Sequence, residues 1–262
     1  MTAATTEGGA VGCTVDGRLA RIELRRPPLN VLDLAALGEL DRALARLAAA
    51  DPPPSVLLLS AAGERAFSAG VAVGDHTADK IGAMLDALHG AARKLRALPA
   101  VSVAVVRGLC LGGGFELAAS CDLILAAEGA SFGQPEIDLA CFPPLGAALY
   151  PRALGPWRAA DLVLTGRRLS AAEAEAWGLV TRRVPAARLD EAAEELAATL
   201  LAKSAPALAA ARRALAAGLE RPFDEAVAAT EAIYIEEIGP SEDMAEGVAA
   251  FLAKRAPRWR HR

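Results

Sequence analysis

The sequence has few of the residues that proteins most often use to hold a metal ion. Its 262 residues include three histidines and four cysteines, and no two cysteines have the C-x-x-C spacing of a zinc or redox site. We therefore expect no metal site. Sparse, unpatterned cysteines are typical of a protein from a reducing compartment.

An excess of positive charge is also missing. The chain carries 28 Lys and Arg against 32 Asp and Glu, whereas nucleic-acid-binding proteins usually show a basic excess or stripe. No apolar run reaches the roughly 20 residues of a membrane-spanning helix. The first ten residues, MTAATTEGGA, lack the basic and apolar regions of a signal peptide. We therefore expect a cytoplasmic protein that binds neither nucleic acid nor a membrane.

The composition that remains is typical of a globular protein. Hydrophobic residues make up 53% of the chain and charged residues 23%, and a chain of this length buries roughly three quarters of its unfolded surface. Alternating apolar residues around Asp16-Gly17 predict a β-hairpin over 11–24. Three continuous apolar runs predict strands that are buried on both faces: 56–59, 101–106 and 123–125.

Apolar residues at spacings of three and four predict helices between these strands. One begins at Asp33 and ends before the prolines that follow Asp51, and another spans about 79–98. Strands that alternate with helices favour parallel pairing with right-handed crossovers. After Pro156 the pattern is almost wholly helical, apart from one short strand at 180–184. Four helices are predicted there: 189–203, 205–219, 222–238 and 242–254.

The strongest local signal is a glycine-dense turn, 108–114, between a buried strand and a short helix. Glycines allow the backbone to approach a ligand closely and leave N–H groups unpaired at the positive end of a helix dipole. Such a turn suits a phosphate or an oxyanion, and its spacing matches neither the Walker nor the dinucleotide glycine motif. A tight turn without a ligand is the alternative interpretation.

Two glutamates follow strand ends. Glu116 lies one helical turn after Gly113, beside the same N–H groups, and Glu136 follows the predicted turn at 131–135. Two carboxylates near an oxyanion hole can act as acid and base across a polarised double bond. An ordinary first-turn glutamate and a surface loop acid are the alternatives. Ser68 lies outside any G-x-S-x-G context, so we expect no serine nucleophile.

Five motifs, in this order, resemble the enoyl-CoA hydratase/isomerase (crotonase) superfamily: 66–70 AFSAG, 108–116 GLCLGGGFE, 132–136 FGQPE, 164–166 LTG and 176–180 AWGLV. The resemblance covers nearly the whole chain. It implies an α/β protein with the ClpP-like crotonase fold of repeated ββα units and a helical C-terminal trimerisation region. It also implies a core with the CoA-thioester site over 1–195 and a helical oligomerisation region over 196–262.

The resemblance further implies an enzyme that binds an acyl-CoA thioester and needs no cofactor besides the CoA of its substrate. The oxyanion hole would be the backbone N–H groups of Val71 and Gly113. Glu116 and Glu136 would be the catalytic acids, one activating water and the other handling the proton at the α-carbon. Eight residues would contact the substrate or its CoA: Leu29, Ala69, Val73, Pro135, Phe142, Pro144, Phe251 and Lys254. The last two would reach the CoA bound by an adjacent subunit of a homotrimer or hexamer.

Within the superfamily, three segments are most similar to the cyclohexa-1,5-diene-1-carbonyl-CoA hydratases: 29–32, 69–76 and 140–146. Two residues depart from the wider pattern. Ala72 replaces the acid that usually follows the oxyanion-hole residue, which leaves the anchoring of that loop open. Pro144 stands where hydratases of linear substrates have a glycine, and it has no N–H to hold a water. With Phe142, it predicts a stiff apolar wall around a compact, ring-sized acyl pocket.

We therefore expect a hydratase that adds water to, or removes it from, an α,β-unsaturated acyl-CoA, with a cyclic dienoyl-CoA as one candidate. A double-bond isomerase that uses Glu136 alone is one alternative, and a hydratase or dehydratase of a carrier-protein thioester is another. Some superfamily members bind RNA through a lysine-rich first helix, but the helix predicted from Asp33 has only Arg42 and Arg46 as cations. A catalytically silent scaffold is disfavoured because both acids and both glycine turns are present.

Overall fold

The computed structural model describes residues 9–262. The prediction about a signal peptide falls largely on residues 1–8 and so lies outside the described residues. The described chain contains ten strands, which are β1 (Val11–Asp16), β2 (Leu19–Leu24), β3 (Val56–Ala61), β4 (Ala66–Ser68), β5 (Val101–Val106), β6 (Leu109–Leu111), β7 (Leu123–Ala127), β8 (Ser131–Gly133), β9 (Arg168–Ser170) and β10 (Arg182–Val184).

Residues 9–262 also contain ten α-helices, which are α1 (Leu34–Ala48), α2 (Ile81–Ala97), α3 (Gly113–Ala119), α4 (Pro144–Leu154), α5 (Pro156–Thr165), α6 (Ala171–Ala176), α7 (Leu189–Leu201), α8 (Ala205–Glu220), α9 (Phe223–Ile233) and α10 (Glu242–Leu252). Short 3₁₀ turns lie at Val73–Asp75, Pro135–Leu139 and Ala186–Arg188. In this described part of the chain, none of the helices is both long and apolar enough to cross a membrane.

The larger sheet has six strands in the order β1-β2-β3-β5-β7-β10. β1 and β2 form the predicted antiparallel hairpin, and Gly17 supplies the positive φ of +56° at its turn. The other neighbours pair in parallel. The three apolar runs form β3, β5 and β7 in the interior of this sheet, where helices cover both faces, so the prediction of buried strands is confirmed.

The smaller sheet has four three-residue strands in the order β4-β6-β8-β9. β4, β6 and β8 run parallel, and β9 pairs with β8 in the antiparallel direction. The sequence analysis did not predict these strands, and it assigned the whole of 108–114 to a turn although β6 lies within it. Three residues are too few to display the alternation that identifies a strand.

A unit of strand, short strand and helix occurs three times, as β3-β4-α2, β5-β6-α3 and β7-β8-α4. In each unit the first strand joins the larger sheet and the second joins the smaller one. Because the carboxyl ends of parallel strands meet at the same edge of a sheet, the three loops after β4, β6 and β8 come together. This edge carries the candidate site.

Helices cover both faces of the larger sheet. Helix α1 begins at Asp33, whose carboxylate accepts a hydrogen bond from the Ala36 N–H (2.8 Å). It buries a leucine stripe against the sheet and α2, and each fully buried leucine stabilises the fold by about 1.5–3 kcal/mol. On the opposite face, α7 packs against β3, β5 and β7.

Two regions differ from the sequence-based expectations. Helix α4 was not predicted, and the predicted helix 222–238 is α9 followed by a π-helical segment, Tyr234–Ile238. The expected division after residue 195 falls inside α7, whose buried Ala197 packs with the core under the larger sheet.

Candidate active site

The loops that follow β4 and β6 are in direct contact. A Cβ atom added to Gly113 would lie 2.7 Å from Val71 Cγ2, and one added to Gly70 would lie 3.1 Å from the Leu111 carbonyl oxygen. Gly70 also has a φ of +101°, which side chains rarely allow. Glycine at these two positions therefore lets the backbone at Val71 approach the backbone at Gly113.

The residues on either side of Val71 are hydrogen-bonded to Leu32. The Leu32 N–H donates to the Gly70 carbonyl (3.0 Å), and the Ala72 N–H donates to the Leu32 carbonyl (3.1 Å). Since successive backbone groups of an extended chain alternate in direction, the Val71 N–H points away from Leu32. Within residues 9–262, neither the Val71 N–H nor the Gly113 N–H donates a hydrogen bond.

Two buried polar side chains, those of Asn30 and Ser68, hold the backbone around Val71 in place through hydrogen bonds. Asn30, in a left-handed conformation, donates through its amide nitrogen to the carbonyls of Ala62 (2.9 Å) and Ala66 (2.8 Å). The Ser68 hydroxyl donates to the Asn30 carbonyl (2.8 Å) and accepts from the Gly70 N–H (3.1 Å). Ser68 is thus a structural residue, in agreement with the expectation that it is not a nucleophile.

Asp75 supplies the anchor that Ala72 lacks. Its buried carboxylate accepts from the Leu34 N–H at the start of α1 (3.3 Å) and lies 3.6 Å from the Lys80 ammonium. A carboxylate at a helix N-terminus is stabilised by the unpaired N–H groups there. The loop after Val71 is therefore tied to the start of α1 through Asp75.

Glu116 lies in the first turn of α3 and is only 2% exposed. Its Oε1 accepts a hydrogen bond from the Gly146 N–H (2.7 Å) at the start of α4. Burial raises the pKa of Glu116, and the N–H groups of Gly146 and Leu145 oppose that rise. Pro144 is the first residue of α4, where a missing N–H costs no intrahelical bond.

Glu136 is half-buried in the 3₁₀ turn that follows β8. Burial raises the pKa of Glu136 to about 7, the nearby charge of Glu116 adds to the rise, and the residue's own N–H opposes it. Gly112 lies directly beside this carboxylate, because an added Cβ would come within 2.7 Å of Glu136 Oε1. The structure thus brings both glutamates and the loops of Val71 and Gly113 to one place.

Two further buried polar residues adjoin Glu136. The Gln134 amide satisfies both of its neighbours in one orientation, in which its oxygen accepts from the Tyr150 hydroxyl and its nitrogen donates to Glu136 Oε1 (3.2 Å) and Oε2 (2.9 Å). The Cys141 thiol donates to the backbone carbonyl of Glu136 (3.3 Å). The sequence analysis included Gln134 in a motif without a role, and it missed Tyr150 and Gly146 because they lie in the unpredicted α4.

The other predicted residues divide into two groups. Those in the loops at the edge of the smaller sheet or at the start of α4 are Leu29, Ala69, Val73, Pro135, Phe142 and Pro144. The Leu29 carbonyl accepts from the Ala69 N–H (2.8 Å), and the side chains of Val73 and Phe142 are exposed. Phe251 and Lys254 lie exposed at the end of α10, and within residues 9–262 no hydrogen bond or ion pair links their side chains to the first group.

This arrangement has the parts needed for proton transfer next to a carbonyl. Free backbone N–H groups can polarise a carbonyl oxygen, and two carboxylates with raised pKa values can give and take protons at neighbouring carbons. In the part of the chain that the structure describes, no group of three histidine, cysteine, aspartate or glutamate residues is placed to hold a metal ion.

Comparisons with known proteins agree in sequence and in structure. The model of the family described as enoyl-CoA hydratase/isomerase matches residues 14–262. The chain is 38% identical to a cyclohexa-1,5-dienecarbonyl-CoA hydratase of Thauera aromatica over 250 residues, which cover 94% of this chain and 95% of that protein. It is also 38% identical to a probable enoyl-CoA hydratase of Mycobacterium bovis over 253 residues, which cover 94% of this chain and 96% of the relative.

Solved structures share the whole fold. An enoyl-CoA hydratase from Bacillus anthracis superposes with a TM-score of 0.92 at 31% identity, over 97% of this chain and 100% of that one. A second, from Geobacillus kaustophilus, gives a TM-score of 0.93 at 28% identity and covers all of both chains. The fold class predicted from the sequence is therefore confirmed.

Proposed function

Because the chain belongs to the enoyl-CoA hydratase/isomerase family, we propose that it is a lyase that adds water to an α,β-unsaturated acyl-CoA thioester or removes it from the hydrated product. The observation that carries this proposal is the pair of glutamates, Glu116 and Glu136, beside the unpaired N–H groups of Val71 and Gly113. The names of the hydratase relatives support the same reaction.

The proposed oxyanion hole acts on the thioester carbonyl. As the water oxygen bonds to the β-carbon, the π electrons of the double bond shift to the α-carbon and negative charge builds on the carbonyl oxygen. The N–H groups of Val71 and Gly113 would donate to that oxygen, and each such donor stabilises a transition state by about 3 kcal/mol. A proton added at the α-carbon and a proton removed from the water complete the addition.

The surroundings of the two glutamates suit different roles. Burial raises the pKa of Glu116, but backbone N–H groups at the start of α4 donate hydrogen bonds to its carboxylate and oppose that rise, which suits a base for the water. Glu136, with its pKa raised to about 7, is partly protonated near neutral pH and can deliver the proton to the α-carbon. Water removal uses the same groups in the opposite direction, and the reaction needs no cofactor besides the CoA of the substrate.

For the acyl group we propose a compact ring, such as a cyclic dienoyl. The similarity to the cyclohexa-1,5-dienecarbonyl-CoA hydratase supports this substrate class. Phe142, buried Pro143 and Pro144 lead into α4 beside Glu116, and two consecutive prolines make this wall stiff. Because Pro144 has no N–H, the water has to be held by a group other than the backbone at position 144.

Mass spectrometry of reaction products tests the reaction and the substrate class together. Wild-type protein should add the mass of water to enoyl-CoA thioesters, with faster turnover of a cyclic dienoyl-CoA than of crotonyl-CoA. Faster turnover of crotonyl-CoA or of longer straight chains would exclude the ring and leave a general hydratase. If the protein acts only on carrier-protein thioesters, its substrate is attached to a carrier protein and not to CoA.

Variants of the two acids test their roles. Glu116→Gln and Glu136→Gln should each lower kcat for hydration by about 100-fold or more and leave CoA-thioester binding largely intact. Asp138→Asn is the matched control, because Asp138 is an exposed acid on the same turn as Glu136. Full double-bond isomerisation by Glu116→Gln would identify an isomerase that uses Glu136 alone.

We also propose that the chain works as a homotrimer or hexamer, with Phe251 and Lys254 placed against the CoA of an adjacent subunit. The support is a groove of small and apolar residues between α8 and α9, lined by Ala211, Ala214, Leu215, Gly218, Leu219 and Thr230. Light scattering at micromolar concentration should give three or six times the 27.0 kDa chain mass, and a stable, active monomer would refute the proposal. Four free cysteines support a cytoplasmic location.

A further inference from the structure

Helix α4 is linked by hydrogen bonds to both candidate acids. It reaches Glu116 directly through the Gly146 N–H, and it reaches Glu136 through the Tyr150 hydroxyl and the Gln134 amide. Tyr150 lies one turn after Gly146, and a Cβ added to Gly146 would come within 2.5 Å of the Tyr150 ring. Glycine at 146 is therefore what allows the ring to lie against the turn that binds Glu116.

The Tyr150 side chain is held rigidly. It is fully buried, and its ring stacks on Phe115, the residue before Glu116, with centroids 5.2 Å apart and planes at 29°. Phe115 in turn contacts Phe132 of β8, at a centroid distance of 5.3 Å. This packing places the hydroxyl beside Gln134, which is also fully buried.

The orientation of the Gln134 amide determines whether its nitrogen or its oxygen faces the Glu136 carboxylate. With the amide oxygen on the Tyr150 hydroxyl, both bonds from the amide nitrogen are available to the Glu136 carboxylate. The reverse direction would place the amide oxygen against the carboxylate oxygens, which is repulsive and costly in a buried site. A tyrosine hydroxyl can rotate its hydrogen to suit either partner, but only donation to the amide oxygen satisfies all three groups.

We propose that Tyr150 is a positioning residue for Glu136, which acts by holding the Gln134 amide with its N–H groups toward the carboxylate. The consequence for turnover rests on the proposed hydratase function, whereas the consequence for the ionisation of Glu136 does not. Because these N–H groups stabilise the charged carboxylate, their removal should raise the pKa of Glu136.

Other groups near Glu136 also influence the pKa of its carboxyl group. Glu116 on α3 and the Cys141 thiol beyond the turn are the titratable neighbours, and Gly112 presents only backbone. Helix α5 packs against the same turn, but its charged residues are otherwise engaged, with Arg158 bonded to the Trp177 carbonyl and Asp161 paired with Arg167. The Tyr150 hydroxyl takes part in none of these contacts, since its hydrogen-bond partner is Gln134.

The test compares the two tyrosines of the chain. In protein with ¹³C-labelled glutamate δ-carbons and no substrate, the Glu136 resonance is assigned by its loss in Glu136→Gln. Tyr150→Phe, which keeps the ring, should raise the titration midpoint of that resonance by about one pH unit. Tyr234→Phe removes an exposed hydroxyl and should leave the midpoint at the wild-type value. An unchanged midpoint in folded Tyr150→Phe would overturn the proposal.

A double-mutant cycle shows whether the effect passes through Gln134. Gln134→Met should raise the midpoint by about as much as Tyr150→Phe, and the double variant should add nothing to either. If the two substitutions shift the titration midpoint additively, Tyr150 does not act on Glu136 through Gln134. When kcat/KM for hydration is plotted against pH, the change in rate that reports the ionisation of Glu136 should move to higher pH by as much as the titration midpoint moves. If the wild-type protein hydrates none of the enoyl-CoA thioesters, the proposed function is wrong. The titration of Glu136 needs no substrate, so it still tests the role of Tyr150.

Discussion

The ββα core and the last three helices place the same kinds of residue in opposite environments. All six residues of β5 are buried, and the core also contains the largest of the fully buried side chains that the structure describes, Phe67, Phe115, Phe132 and Tyr150. Among the side chains that the structure describes in α8, α9 and α10, the buried apolar ones are alanines, whereas Leu215, Phe223 and Phe251 are exposed. The core is thus completed within one chain, while the C-terminal helices present an apolar surface that a neighbour can cover.

One arginine provides the strongest polar link between these two regions. Arg212 on α8 pairs with Asp122 at the start of β7 (2.6 Å) and donates to the carbonyls of Leu98 (2.6 Å) and Leu95 (3.3 Å). Asp122 also accepts from the N–H and hydroxyl of Ser102 on β5. The comparison therefore teaches that the site is built by packing within the core, whereas the outer helices are joined to the core through a few polar anchors.

The first prediction, with the largest expected effect of the three in this comparison, concerns a methyl group added in the core. Gly112→Ala places a Cβ within 2.7 Å of Glu136 Oε1 at a residue whose φ is +52°. We expect kcat for hydration to fall by about 100-fold or more, because the carboxylate has to move. Steady-state kinetics checks this result, and Gly129→Ala, where an added Cβ meets open space, should keep wild-type activity.

The adjacent residues Arg212 and Arg213 allow an ion pair with the core to be compared with an ion pair on the surface. Arg212→Ala leaves Asp122 and two carbonyls without their partner, so the free energy of unfolding should fall by about 1.5–3 kcal/mol. Arg213→Ala removes an exposed pair with Glu237 and should cost less than about 1 kcal/mol. Urea unfolding of both variants checks the difference. Equal losses would show that α8 is not anchored through Asp122.

The smallest effect is a gain in stability at high pH. Since folding raises the pKa of Glu136 from 4.5 to about 7, the native state binds this proton more tightly than the unfolded state, and that contribution is lost as pH rises through 7. Glu136→Gln should therefore be more stable than wild type at pH 8, by on the order of 1–2 kcal/mol, with the difference shrinking toward pH 4.5.

Urea unfolding at pH 5 and pH 8 measures this difference. Asp138→Asn, on the exposed part of the same turn, should show no comparable gain at either pH. A Glu136→Gln variant that is no more stable at pH 8 than at pH 5, relative to wild type, would contradict the raised pKa of the native carboxylate.

The sequence predicted the parts of the fold that repeat a pattern over enough residues. The hairpin around Gly17, the helix that begins at Asp33 and the strands β3, β5 and β7 all carry such patterns, and they lie where predicted. The three-residue strands of the smaller sheet carry no pattern. Helix α4 begins with a proline and contains Pro151, and prolines inside a segment argue against a helix.

The candidate site divides in the same way. Glu116 was singled out because it follows a glycine turn at a helix start, and Glu136 because it follows the turn predicted at 131–135. Tyr150 was missed, because its contact with Gln134 joins residues 16 positions apart in separate elements. The positions of Val71, Gly113, Phe251 and Lys254 relative to a bound thioester remain predictions.

The threefold use of the ββα unit has a consequence for how such a protein can diverge. Each unit ends its short strand in its own loop, so one unit carries Val71, the next carries Gly113 and Glu116, and the third carries Glu136. A change in the third loop can replace its acid while the backbone of the first two loops stays in place. Mutation can therefore vary the site one loop at a time, because each loop follows a separate short strand of the smaller sheet.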